Sequence, residues 1–170
     1  EDSPWHIEFD HVSFSYNGVE DNLTDISFRL KQGQTLGIIG ATGSGKTTLT
    51  NLLLRLYDPS SGRVLLNGRD LRSIPREELS AQVGVAFQSD FMMAATIREN
   101  IAYFRDIAES DLMDAIKSAQ AEDFIMATKD ALNHQVESRG NNLSGGQKQR
   151  LLIARALANK PSLLILDDAS

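Results

Sequence analysis

Residues 40–47, Gly40-Ala41-Thr42-Gly43-Ser44-Gly45-Lys46-Thr47, fill the pattern G-x-x-x-x-G-K-[ST] at every fixed position. Such an octet works as a turn between a buried strand and a helix, so it restricts the fold more than any other stretch of the chain. The flanks agree with it. Thr35-Leu36-Gly37-Ile38-Ile39 is short and nearly continuously apolar, which predicts a strand covered on both faces. Leu49, Leu52, Leu53 and Leu56 then recur at helical spacing until Pro59 and Gly62 close the segment. The glycines let backbone N–H groups turn inward around phosphate oxygens, and the helix N-terminus adds partial positive charge at the same place. Lys46 is placed to reach the β- and γ-phosphates, and the Thr47 hydroxyl to hold Mg²⁺. The motif therefore predicts a nucleoside triphosphate site, against the alternative of a flexible Gly/Ser/Thr loop.

The rest of the chain interleaves strands with helices. Ile7, Phe9, Val12, Phe14 and Tyr16 approximate a period of two, with one slip around His11. After a turn at Asn17-Gly18, Ile26, Phe28 and Leu30 alternate again, which predicts an antiparallel sheet. Val64-Leu65-Leu66-Asn67-Gly68 reads as a strand entering a hairpin turn, and Val83–Phe87 as a further strand. From about residue 96 to 132 the pattern is helical, with Leu112, Ala115, Ile116 and Ala119 on one face behind a Ser110 cap. Another helix is expected from Ser144 to Ala158, and Pro161 separates it from the apolar run Leu163-Leu164-Ile165-Leu166.

That run ends in Asp167-Asp168. A triphosphate site of this type needs an acid at the tip of a neighbouring apolar strand to hold Mg²⁺ through its water shell, and Asp167 is the acid so placed. Composition limits the rest. A net charge of -6 argues against a nucleic-acid partner, and the absence of cysteine excludes disulfides and thiolate metal sites. No apolar run in these residues approaches the roughly 18 that suggest a membrane span.

Leu143-Ser144-Gly145-Gly146-Gln147 precedes the last helix, where a hydroxyl and glycine N–H groups at a helix start can form a second anion site. Together with the octet, Gln88 after an apolar strand, and LLILD, it resembles the ATP-binding cassette (ABC) ATPases over essentially the whole chain. The resemblance implies an α/β P-loop core with a mostly parallel sheet and an N-terminal antiparallel β subdomain. A helical subdomain would be inserted between Gln88 and LSGGQ. In residue terms, 1–87 would hold the antiparallel sheet and P-loop, 88–150 the helical subdomain, and 151–170 the return to a core strand. Tyr16 would stack on adenine, though an aromatic of a strand can equally pack in its sheet. Gly40, Thr42, Gly43, Ser44, Gly45, Lys46, Thr47 and Thr48 would bind the triphosphate of ATP, with Thr47, Gln88 and Asp167 around Mg²⁺. Gln88 would also approach the attacking water, its bland alternative being an ordinary strand-end polar residue. Ser144, Gly145, Gly146 and Gln147 would face the γ-phosphate held by a second such domain, so that two chains sandwich two nucleotides head to tail.

Asp58–Gly62, Thr96–Ile101 and Leu143–Arg155 resemble the exporter subgroup. That implies a transmembrane domain, fused upstream or separate, and a place on the cytoplasmic face of the cell membrane. Phe91, Met92 and Met93 would be either an apolar docking patch for that domain or core. Two departures stand out. Glu137-Ser138-Arg139-Gly140 has a residue between Glu and Arg-Gly where exporters often have none. Asp168 stands where the family has a glutamate acting as general base; its carboxylate is set back by about 1 Å, a misplacement that can cost about 100-fold in rate. The expectation is a slow site paired in a heterodimer with a partner that carries the usual glutamate. A dimerisation module without turnover, an importer cassette and a non-transport ABC ATPase are the alternatives. The family's crossing loop and γ-phosphate histidine are expected beyond Ser170, because His6, His11 and His134 all precede the terminal strand; the stretch is thus expected to be truncated.

Overall fold

The structure is a computed structural model that describes residues 3–87 and 90–167. The chain packs as two units, Glu1–Ser80 and Ala81–Ser170.

In the first unit, β1 (Ile7–Phe14), β2 (Leu23–Leu30), β3 (Ser61–Leu66) and β4 (Arg69–Asp70) form an antiparallel sheet in the order β2-β1-β3-β4. The alternating residues of β1 face the core: Ile7, Phe9, Val12 and Phe14 are all buried, and Phe9 stacks on Phe28 with ring centroids 4.6 Å apart. The slip around His11 is a β-bulge. Register shifts fall between Phe9 and Val12 against β2, and between Asp10 and Ser13 against β3, while His11 takes a φ of 49°. Gly62 lies against the bulge with a φ of 75°, and a Cβ there would sit 2.1 Å from the His11 carbonyl oxygen. The Asn67-Gly68 turn between β3 and β4 has φ values of 50° and 79°, the positive pair that a tight two-residue hairpin requires. Helix α1 (Lys46–Leu53) buries Leu49 and Leu52, whereas Leu56 lies beyond its end and is exposed.

One expected strand is absent. Residues 35–39 take no strand conformation; Leu36 and Ile38 are half-exposed and Ile39 is fully exposed. No strand of this unit pairs with the run, and an extended segment without a ladder must leave its N–H and C=O groups to water.

Helix α2 (Arg76–Gln82) leads into β5 (Val83–Phe87), which pairs in parallel with β6 (Leu163–Asp167), Phe87 opposite Asp167. Between these strands lie α3 (Ile97–Ala102), α4 (Glu109–Ser118), α5 (Glu122–Ala127) and α6 (Gly145–Leu157). Their apolar faces make one core, in which Ile97, Ile101, Ile116, Ile125, Val136 and Leu151 are at most 1% exposed. Thr96 and Glu99 form a capping box at the start of α3. Helix α4 begins at Glu109 behind Ala108, so Ser110 lies inside the helix and does not cap it. The expected face of α4, Leu112, Ala115, Ile116 and Ala119, is buried. Among the described residues no helix is long and apolar enough to cross a membrane.

Candidate nucleotide-binding site

The loop before α1 is built on left-handed glycines. Gly43 has a φ of 80°, and the N-cap Gly45 a φ of 101° and ψ of 4°. A Cβ on Gly45 would come within 2.8 Å of Leu23 Cδ2 and 3.1 Å of the Asn22 carbonyl oxygen, so backbone and neighbours both require glycine. Ser44 closes the turn by donating its N–H to the Ala41 carbonyl at 3.1 Å. The helix that follows has no side-chain cap and no acid in its first turn. Its leading N–H groups are therefore left without a side-chain acceptor, at the positive end of the helix dipole. Lys46 folds back so that its Nζ donates to the Gly40 carbonyl, and Thr47 is exposed beside it.

Tyr16 stands next to this loop. It lies just past the end of β1 and is 45% exposed, with its ring edge-on to buried Phe14 at 4.8 Å, so that it packs on the sheet and still keeps an open face. Its hydroxyl donates to Thr48 Oγ1 at 3.1 Å and accepts from Asn51 Nδ2 at 3.0 Å. Tyr57 meets it edge-on at 5.0 Å, at an interplanar angle of 88°. Asn51 and Tyr57 escape a motif-based reading. The signal for Asn51 was its place one helical turn beyond Thr47; Tyr57 offered only an aromatic at a helix end.

In the second unit, Asp167 ends β6 and lines a cavity of about 340 Å³ together with Phe87, Leu166, Gly145, Lys148 and Gln149. The parallel pairing thus brings the strand tip to the first turns of α6. Ser144 is the N-cap of that helix: its Oγ accepts from the Gln147 N–H at 3.1 Å, and Gln147 Oε1 accepts from the Ser144 N–H at 3.0 Å. The side chain of Gln147 is engaged in this capping box. Gly145 and Gly146 are exposed, neither has a positive φ, and a Cβ on either would meet nothing within 4 Å among the described residues. The chain's own packing does not demand glycine at these two positions. Met92 is buried core and Phe91 is 54% exposed, so the proposed apolar patch divides between the two alternatives. Gln88 and Asp168 lie outside the described residues.

A family model described as ABC transporter matches residues 23–170. The chain belongs to the ABC transporter family. Among curated ABC relatives, an uncharacterized ABC transporter ATP-binding protein YfiB of Bacillus subtilis is 45% identical over 166 residues, covering 96% of this chain and 29% of that protein. The beta-(1-->2)glucan export ATP-binding/permease protein NdvA of Bartonella henselae is 43% identical over 165 residues, covering 96% and 28%. A solved bacterial Atm1-family ABC exporter with ATP bound superposes with a TM-score of 0.85 at 36% identity, over 98% of this chain and 30% of that one. The chain thus spans less than a third of the length of these ABC proteins. The α/β architecture, an antiparallel N-terminal sheet plus a parallel sheet, is that of the exporter nucleotide-binding domain, and domains of this family bind ATP.

Proposed function

We propose that the chain is the ATP-binding and ATP-hydrolysing domain of an ABC exporter at the cytoplasmic face of a membrane, working as one half of a head-to-tail pair. The observation that carries this reading is the uncapped start of α1. A helix end framed by left-handed glycines, with no acid in its first turn and a lysine whose Nζ turns back to the Gly40 carbonyl, is suited to polyphosphate. The N–H groups of residues 43–48 would hold the phosphates, and Lys46 would leave the Gly40 carbonyl for the β- and γ-oxygens. The exposed face of Tyr16 would take the adenine ring, steadied by Thr48, Asn51 and Tyr57.

The residues present also fit Mg²⁺. Thr47 offers a hydroxyl and Asp167 a carboxylate, hard oxygen donors of the kind taken by an ion that keeps several waters and leans on substrate phosphates. Thr47, Asp167 and Gln88 would hold it, and when bound it would neutralise charge between the transferring phosphates. Asp168 would accept the proton of the attacking water, weakly because of its short side chain. The open Gly145 and Gly146, with Ser144, would face the γ-phosphate held by a second nucleotide-binding domain; the short Asp168 favours a partner that is a different chain. A transmembrane domain would be the other partner.

Lys46→Ala is the direct test. Loss of charge-assisted contacts worth about 1.5–3 kcal/mol predicts ATP affinity weaker by roughly 10- to 150-fold in a fluorescent-nucleotide titration. Unchanged affinity would remove the basis of the proposal.

A further inference from the structure

Arg155 lies on α6, eleven residues beyond Ser144, and is half-buried. Its guanidinium acts as a fork on backbone. Nε donates to the Asn100 carbonyl at 2.8 Å and Nη1 to the Phe91 carbonyl at 2.9 Å. Nη2 lies 3.4 Å from Asn100 Oδ1, and the cation sits 4.1 Å above the Tyr103 ring. The fork's second target, Asn100, is 1% exposed and grips the same segment: its Oδ1 accepts from the Met93 N–H at 2.8 Å, and its Nδ2 donates to the Met93 and Thr96 carbonyls at 3.1 and 3.0 Å. Arg105 closes the cluster by donating to the Arg155 carbonyl at 2.7 Å.

No carboxylate among the described residues forms a salt bridge with Arg155. Burial accordingly holds its pKa below the usual guanidinium value. Asp90 acts on it only from beyond ion-pair distance, and a half-buried cation with no carboxylate in contact is a poor stabiliser that an apolar side chain of similar volume would often match or better. What an apolar residue cannot do is reach two carbonyls of different segments from one rigid plane; lysine, a single point charge, cannot do it either.

We propose that Arg155 is a positioning residue that makes the segment 91–96 follow displacements of α6, so that engagement of Ser144 by nucleotide is felt three residues downstream of Gln88. The helix between Ser144 and Arg155 is a rod of about 16 Å, at 1.5 Å rise per residue. A push at its N-terminus moves the fork, and the fork has no slack with which to leave the Phe91 carbonyl behind. This inference rests on the ATPase reading of the site. It predicts an effect on turnover with little effect on ATP affinity, because none of the clamp's partners belongs to the phosphate loop.

The test uses the intact protein with Arg155→Lys and Arg155→Gln, measuring ATP turnover, KM for ATP, and amide hydrogen exchange of residues 91–96 with and without ATP, below each variant's melting temperature. Expected are a fall in kcat of about tenfold or more with KM within about twofold, and nucleotide-dependent protection of 91–96 that is present in the wild type and lost in both variants. Wild-type kcat in the variants, a loss of activity that only tracks the fraction folded, or undiminished nucleotide-dependent protection overturns the proposal. A wild-type protein that neither binds nor hydrolyses ATP fails at the earlier step, the functional reading itself, and takes this one with it.

Discussion

Ser144 does two separable things, and substitutions can pull them apart. Its hydroxyl oxygen caps α6 by accepting the Gln147 N–H at 3.1 Å, and the same exposed side chain is assigned to the γ-phosphate of a second domain. Ser144→Ala removes both. Losing an N-cap costs about 1 kcal/mol, which lowers Tm by roughly 2–4 °C for a chain of this size. Ser144→Asp keeps the cap, since aspartate serves there as well as serine and also suits the helix dipole. It therefore melts like the wild type. Yet it places a negative charge against the partner's γ-phosphate. At about 4 Å and an effective dielectric constant near 20, that repulsion is about 4 kcal/mol, or roughly a thousandfold in the dimerisation constant. Sedimentation velocity of the chain mixed with its partner nucleotide-binding domain and a non-hydrolysable ATP analogue, alongside thermal melts, reads both quantities. The expected pattern is a dimer in the wild type, a weakened dimer with lowered Tm for Ser144→Ala, and a monomer with unchanged Tm for Ser144→Asp. An aspartate variant that dimerises like the wild type refutes the placement of Ser144 at the γ-phosphate. One that melts as low as the alanine variant refutes the capping argument.

Asp168→Glu should raise ATP turnover, by up to about 100-fold where the missing methylene is the whole defect; unchanged phosphate release would sink the weak-site reading. Gly62→Ala drives a Cβ onto the His11 and Asp10 carbonyls at a left-handed φ, so its loss of stability should exceed the roughly 1–2 kcal/mol of backbone strain alone; a melting shift within about 2 °C would contradict the bulge geometry. His11 has its pKa raised by its hydrogen bond to Asp25 and by that carboxylate's charge. A group whose folded pKa is raised contributes stability that is fully present below its ordinary 6.5 and is lost as pH rises through the folded value. His11→Gln should flatten that decline, and a ring titration by NMR with a midpoint at or below 6.5 would count against the pair.

Much of this was legible because the signals are local. The span of α6 follows from a periodic run, with Ser144, expected as its first residue, standing one place before it as the N-cap. The His11 slip marked the bulge, and Asn67-Gly68 the hairpin. What failed depends on partners distant in sequence. An apolar run such as 35–39 says that it can be a strand, not that a neighbour supplies a ladder. Ser110 looked like a cap because serine prefers that place, but the helix starts at Glu109, behind Ala108, whose methyl group carries no capping oxygen to signal it. Met92 and Phe91 sit in a loop, where no period assigns one to the core and its neighbour to solvent. Arg155 read as one residue on a helix face; its reach to Phe91 and Asn100 is a matter of tertiary distance alone.

On the proposed reading of the site, the uncapped start of α1 makes nucleotide concentration a folding variable. A helix end that keeps its donors free gives up the roughly 1 kcal/mol a cap would contribute, so the empty domain is looser than its length suggests. An anion that binds there returns that deficit with interest: at a hundred times its dissociation constant a ligand adds about 2.7 kcal/mol. In a cell rich in ATP the domain is then held firm by the molecule it serves. A fall in that supply would register first as softening of the strands and helix around residues 40–48, ahead of any change in chemistry.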